Sequence, residues 1–202
     1  MSERRERMLD AARGLIVRDG FAGASMHAIA RAAGVTRPAL YAEFSDRDDL
    51  FDALLEREEA RVLTMSEEAT PEVDPGVDPV RVAEDSVDIF VDLVLSAPET
   101  WRLVLMPGDG MPPAARERIE RGRDAIRQRT HLLLTVVAAL GERPELDSEL
   151  LSHGVISASE TGARLLVAEN GPDRAAVTKT LRWMVRRIIT ASGLPSALPG
   201  KD

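Results

Sequence analysis

The chain has 202 residues, a formal net charge of −8, and 44% hydrophobic and 30% charged residues, a composition that suits one or two globular domains. It has no cysteine, which excludes a disulfide framework, a thiolate metal site and a cysteine nucleophile. The opening MSERRERMLD lacks the apolar core of a signal peptide, and no apolar run is long enough to span a bilayer, so the expectation is a cytoplasmic protein with no membrane partner.

Strand signals are almost absent while helical spacing recurs, so the expected fold class is all-α with about nine helices. Met8, Leu9, Ala12, Leu15 and Ile16 form the apolar stripe of a first helix. The next stretch, SMHAIARAAGVTRPALYAEFSDRDDLF, is dense in start and stop signals. Ser25 can cap a short helix, Gly34 suits the left-handed position after it, and Thr36 can cap a second with Pro38 in its first turn. Ser45 and Asp48 have the spacing of a capping box for a third. A small residue at Ala30, the turn at Gly34 and an apolar plug at Leu40 permit a close helix crossing, which is the logic of a helix-turn-helix. Ile29, Ala33, Val35, Leu40 and Phe44 are expected to face inward, and Arg37, Ala39, Ala42 and Glu43 outward. The alternative is a tight helical hairpin inside an ordinary bundle.

Leu50, Phe51, Leu54 and Leu55 begin a further helix reaching about residue 67. ATPEVDPGVDP, residues 69–79, ends that helix and is where a domain boundary is expected. Helices are then expected over 80–97, 99–106, 114–140, 148–169 and 173–191, with Pro98, Pro107, Gly141 and the ENGP stretch as stops. Residues 1–47 hold eight arginines against six acids, so the negative excess lies entirely beyond them; the first quarter is the part suited to an anionic partner.

From about residue 7 to 55 the chain resembles the TetR-type transcriptional regulators: a first helix ending in DGF, Ser25 before MHAIARAAGV, then LY and F, then the charged opening of the fourth helix. The resemblance implies a helix-turn-helix DNA-binding domain over residues 1–50, a helical effector-binding and dimerisation domain over 51–195, and a flexible tail over 196–202. It implies double-stranded DNA, a second copy of the chain and a small-molecule effector as partners, and no enzyme activity, cofactor or metal. Ser25, Tyr41 and Arg47 fall at phosphate-contacting positions, with His27 a further phosphate candidate. Thr36, Arg37, Pro38 and Ala39 open the recognition helix, where an arginine can take guanine O6 and N7. Arg4, Arg5 and Arg7 are expected ahead of the first helix, within reach of backbone or minor groove. The chain departs from the family at Ala42 and Glu43, where histidine, tyrosine, asparagine or arginine is common. A carboxylate beside phosphates costs affinity, although it can accept from cytosine N4.

For the remainder, an effector pocket is expected from the resemblance, with Phe90, Leu93, Trp101, Met106 and Met111 as apolar candidates. Arg127, His131 and Glu160 are the polar ones; Glu160 and Arg164 also have ion-pair spacing. Small residues at Gly154, Ser157, Ala158 and Thr161, with Leu181, Met184, Val185 and Ile188 on the last helix, are the expected dimer surface. Two other function classes fit less well. The three histidines have no metal-ligand spacing and no Gly-x-Ser-x-Gly elbow or phosphate loop is present, which speaks against an enzyme. A helical adaptor that binds protein differs from a DNA-binding chain in salt dependence.

Overall fold

The computed structural model describes residues 2–70, 77–105, 110–141 and 145–193. Among them are nine helices and no strand: α1 (Glu3–Gly23), α2 (Met26–Ala32), α3 (Arg37–Tyr41), α4 (Arg47–Glu68), α5 (Pro79–Ser96), α6 (Pro98–Leu105), α7 (Pro113–Leu140), α8 (Ser148–Val167) and α9 (Arg174–Ala191). The all-α class holds, and the proline-rich break separates α4 from α5. Arg4, Arg5 and Arg7 lie inside the first turns of α1 rather than ahead of it, because Ser2 caps the helix by accepting from the Arg5 N–H at 3.2 Å. The flexible tail expected over 196–202 lies outside the described residues.

The chain forms two compact units, residues 1–62 with 97–122, and residues 63–96 with 123–202. The first unit therefore runs past residue 50, the division expected from the resemblance. The reason lies in its core. Leu50, Phe51, Leu54 and Leu55 of α4 join Met8, Leu9, Ala12, Leu15 and Ile16 of α1, and Leu103 and Ala115 enter the same cluster. Phe21 meets Phe51 edge to face at 5.4 Å. It gets there because Gly20, at φ 73°, breaks the helical path of α1, a conformation glycine adopts without strain.

A buried ionic cluster joins three helices of this unit. The Glu58 side chain is 0% exposed and lies 2.7 Å from Arg57 Nη2 and 3.4 Å from Arg13 Nη1. The Thr100 hydroxyl of α6 donates to its other oxygen at 2.5 Å. Arg57 also reaches Glu6 at 2.7 Å and Asp10 at 2.9 Å. Burial by itself lowers the Arg57 pKa, but the hydrogen bond it donates to Glu6 and the charges of Glu58 and Asp10 raise it on balance, so the cation persists.

In the second unit Val87 and Val91 of α5 pack with Val177 and Leu181 of α9, and Phe90, Ala158, Leu166, Met184 and Val185 close around them. Gly162 lets α8 approach α9: a Cβ there would stand 3.0 Å from Leu181 Cδ1. Ion pairs Arg174–Asp92, Arg182–Asp88 and Arg186–Glu84, at 2.5 to 2.8 Å, stitch α9 to α5.

Candidate nucleic-acid interface

The two short helices form because each end is satisfied locally. Ser25 Oγ accepts from the Ala28 N–H at 3.2 Å at the start of α2. At its end Gly34 has φ 67°, which lets Val35 N–H reach the Ala30 carbonyl at 3.0 Å and Gly34 N–H reach that of Arg31 at 3.3 Å. This paired closure is the Schellman arrangement. Thr36 Oγ1 accepts from the Ala39 N–H at 3.3 Å, and Pro38 sits in the first turn of α3, where an N–H is not needed.

A five-residue helix has no stability of its own. It is held by Leu40 at 0% exposure, by Phe44 at 1% just beyond it, and by Ile29 and Ala30 of α2 beneath. Ala33 and Val35 are partly buried against the same core. The inward set is therefore the one expected.

The other side is open. Thr36, Arg37, Pro38 and Tyr41 are exposed, as are Ser25, His27 and Arg47, while Ala39 is half-buried. Tyr41 shows 46% of its surface, unlike a ring spent on a core. Arg47 lies with its guanidinium carbon 5.5 Å from the Phe51 ring centroid, which steadies the cation at the start of α4. These seven exposed candidates present two cations, two small hydroxyls, a phenol and an imidazole, a donor-rich set of the kind that binds phosphate and base edges. Exposed carboxylates at Asp46, Asp48 and Asp49 lie next to Arg47 in the chain.

Two local expectations change. The cap of α4 is Asp46, whose carboxylate accepts from the Asp49 N–H at 2.9 Å; Ser45 instead donates its N–H to Asp49 at 2.8 Å. The register moves one residue because an aspartate carboxylate competes better for a helix N-terminus than the neighbouring hydroxyl. Glu43, expected to face outward, is only half-exposed and turns to α1: Arg4 Nη2 donates to it at 2.6 Å. The sequence distance of 39 residues hides that pair from any local pattern.

The pocket candidates are distributed over both units. Trp101 and Met111 belong to the first, Trp101 at 7% exposure and Met111 against the main core. Phe90, Leu93, Arg127, His131 and Glu160 belong to the second, and Met106 lies outside the described residues. Arg127 pairs with Asp124 at 3.4 Å and Glu149 at 3.7 Å. Glu160 pairs with Arg123 at 2.9 Å, closer than the expected Arg164 at 4.0 Å. His131 is half-buried, and its Nδ1 has no hydrogen-bond partner among the described residues.

The expected dimer stripe divides. Gly154, Ser157 and Thr161 are exposed on α8. Leu181 is buried at 8%, and Ala158, Met184 and Val185 pack against the unit's own core, with Ile188 half-buried. Leu181, Met184 and Val185 are spent on the core that α9 shares with α5, because the apolar stripe of α9 is needed to hold the protomer together. The exposed apolar groups beside the small stripe are Leu150 at 70%, Leu165 at 41% and Trp183 at 58%. Leu150 and Leu165 were not singled out by the sequence, although they share the helical spacing of Gly154, Ser157 and Thr161.

Comparison with known proteins agrees with the geometry. A family model described as "Bacterial regulatory proteins, tetR family" matches residues 8–54, the span that contains α2, α3 and the start of α4. The HTH-type transcriptional repressor AcnR of Corynebacterium efficiens is 29% identical over 163 residues, covering 79% of this chain and 83% of that protein. The HTH-type transcriptional regulator AcrR of Shigella flexneri is 42% identical over 60 residues, 30% of this chain and 28% of its own. Among solved structures, a TetR-like transcriptional regulator from Rhodococcus sp. RHA1 superposes with a TM-score of 0.72 at 27% identity, over 93% of this chain and 96% of that one.

Proposed function

Because this chain belongs to the tetR family of bacterial regulatory proteins, we propose that it is a DNA-binding transcriptional regulator which acts as a repressor and is released from a palindromic operator by a small molecule. One observation carries the DNA-binding reading: α3 is seated on the buried Leu40 while Thr36, Arg37, Pro38 and Tyr41 stay exposed on its far side. Arg37 and Thr36 face base edges, with Ala39 at the flank, and Ser25, His27, Tyr41 and Arg47 contact phosphates that set the register. The relatives named as repressors favour repression over activation.

The dimer supplies the second recognition helix. The exposed faces of α8 and α9, with Gly154, Ser157 and Thr161 beside Leu150, Leu165 and Trp183, offer small residues for close approach and apolar area to bury in a two-fold contact. Two heads roughly 34–36 Å apart would read half-sites one turn apart. A ligand that binds one spacing of the heads better than the other would shift the population, and nothing more is required of it. Among the described residues no helix is long and apolar enough to cross a membrane.

The test is selection of duplexes from a random-sequence library by the full-length protein, followed by binding across a salt series. Enrichment of a two-fold symmetric sequence whose affinity falls steeply with salt is expected. No enrichment, with weak binding indifferent to salt, refutes the reading and favours a protein-binding adaptor.

A further inference from the structure

Glu43 closes the recognition segment, and its carboxylate lies among the first-turn arginines of α1. Arg4 Nη2 donates to Glu43 Oε1 at 2.6 Å, and Arg5 Nη1 stands 3.9 Å from Oε2. Arg5 is anchored twice more: Nη1 donates to the Glu43 carbonyl at 3.2 Å, and its guanidinium carbon lies 4.3 Å from the Phe44 ring centroid. Arg4 has the carboxylate alone, and its side chain is 50% exposed against 21% for Glu43.

The two arginines therefore differ in kind. Arg5 is a fixed part of the head, tied to backbone and ring as well as to charge. Arg4 is a half-exposed cation held by one anion among the described residues, and an exposed pair of that sort is weak enough to exchange. An arginine binds carboxylate and phosphate through the same forked donors, so Glu43 presents Arg4 with the chemistry that a DNA backbone would.

We propose that Glu43 is an internal substitute for a DNA phosphate, holding Arg4 in the free protein and thereby restraining sequence-independent binding to duplex DNA. This rests on the DNA-binding reading above. A backbone phosphate has to compete with Glu43 for Arg4, so the wild type makes this contact little or not at all. Exchanging one anion for the other gains less than a free arginine would, because the Glu43 charge is left behind near the polyanion. Since phosphates carry no sequence information, the restraint acts on all duplexes alike. It shortens the time spent on bulk DNA without altering which bases Arg37 selects.

The experiment is a double-mutant cycle in the full-length protein, with Glu43→Gln, Arg4→Ala and the pair. Each is titrated by fluorescence anisotropy against a random-sequence duplex and a duplex selected by the wild type, over a series of salt concentrations. Glu43→Gln keeps the side-chain shape and is expected to tighten both duplexes about three- to tenfold and to steepen the log–log salt slope by about 0.9, one extra phosphate contact. Arg4→Ala should weaken the Glu43→Gln background more than it weakens the wild type, where an anion already holds the cation, and should remove the slope gained in that background. An unchanged slope for Glu43→Gln overturns the proposal. So does weakened binding confined to the selected duplex, which would make Glu43 a reader of cytosine. A wild type that binds neither duplex overturns the DNA-binding reading as well, whereas salt-dependent wild-type binding with an inert Glu43→Gln overturns the restraint alone.

Discussion

Replacing Glu58 by glutamine should weaken the first unit by about 3 kcal/mol, the low end of the range for removing one partner of a buried ion pair. The side chain is fully buried, with Arg57 at 2.7 Å, Arg13 at 3.4 Å and Arg61 at 3.5 Å on one oxygen. Glutamine keeps the volume and deletes the charge, so no cavity confuses the result. The cost stays at the low end because Arg57 keeps Glu6 and Asp10, and Arg13 keeps Glu99 at 3.1 Å and Asp10 at 3.3 Å. Thr100→Val removes only the hydroxyl that donates to Glu58, and a hydrogen bond to a charged group contributes about 1.5–3 kcal/mol. The double variant should lose less than the sum, since with the carboxylate gone the hydroxyl has only a neutral acceptor. Urea unfolding at fixed protein concentration measures all three, provided the m-value is unchanged. A Glu58→Gln loss under about 1 kcal/mol, with fully additive effects, would mean that the cluster does not join α1, α4 and α6 as described.

Gly34→Ala should cost about 1–2 kcal/mol from backbone strain alone, because a Cβ there meets nothing within 4 Å; a neutral result in urea unfolding would contradict the left-handed turn. Tyr41→Phe should weaken selected and random duplexes by a similar factor in anisotropy titrations, and an effect restricted to one sequence would remove its phosphate role. Trp183 is 58% exposed in the single chain while Trp101 is buried at 7%. Dilution of the assembled protein should therefore shift tryptophan emission to the red through Trp183, and Trp183→Glu should give a monomer by light scattering. Concentration-independent emission and an unchanged mass would defeat the proposed α8–α9 contact.

The parts of the head that could be read from sequence are those whose chemistry is local. Ser25, Gly34, Thr36 and Pro38 act within four residues of themselves, so cap and turn rules found them. The stripe of α1 was equally plain, because its five apolar residues repeat at helical spacing and nothing else competes for them. Asp46 shows the limit of the same rules: two adjacent residues could cap α4, and only the geometry chooses the carboxylate. Glu58 was hidden for a different reason. It sits in EREEAR, which reads as a solvated face until α6 and its Thr100 are laid against it. The dimer stripe was legible only in part because Leu181, Met184 and Val185 of α9 pack against the unit's own core. Which neighbour takes that face, α5 or a second copy, is a tertiary matter that spacing along one helix does not contain. The pocket candidates were chosen as large side chains among the middle helices, a rule that also selects ordinary core such as Trp101 and Met111.

The central claim is that the outer side of α3 enters the major groove, and methylation interference at guanine N7 reads that groove directly. On a duplex selected by the wild type, premethylated guanines should block binding at symmetric positions in two half-sites, and Arg37→Ala should erase the interference at one guanine per half-site while leaving the rest. Interference nowhere, or a pattern that Arg37→Ala leaves untouched, would contradict the placement of α3 and of its arginine.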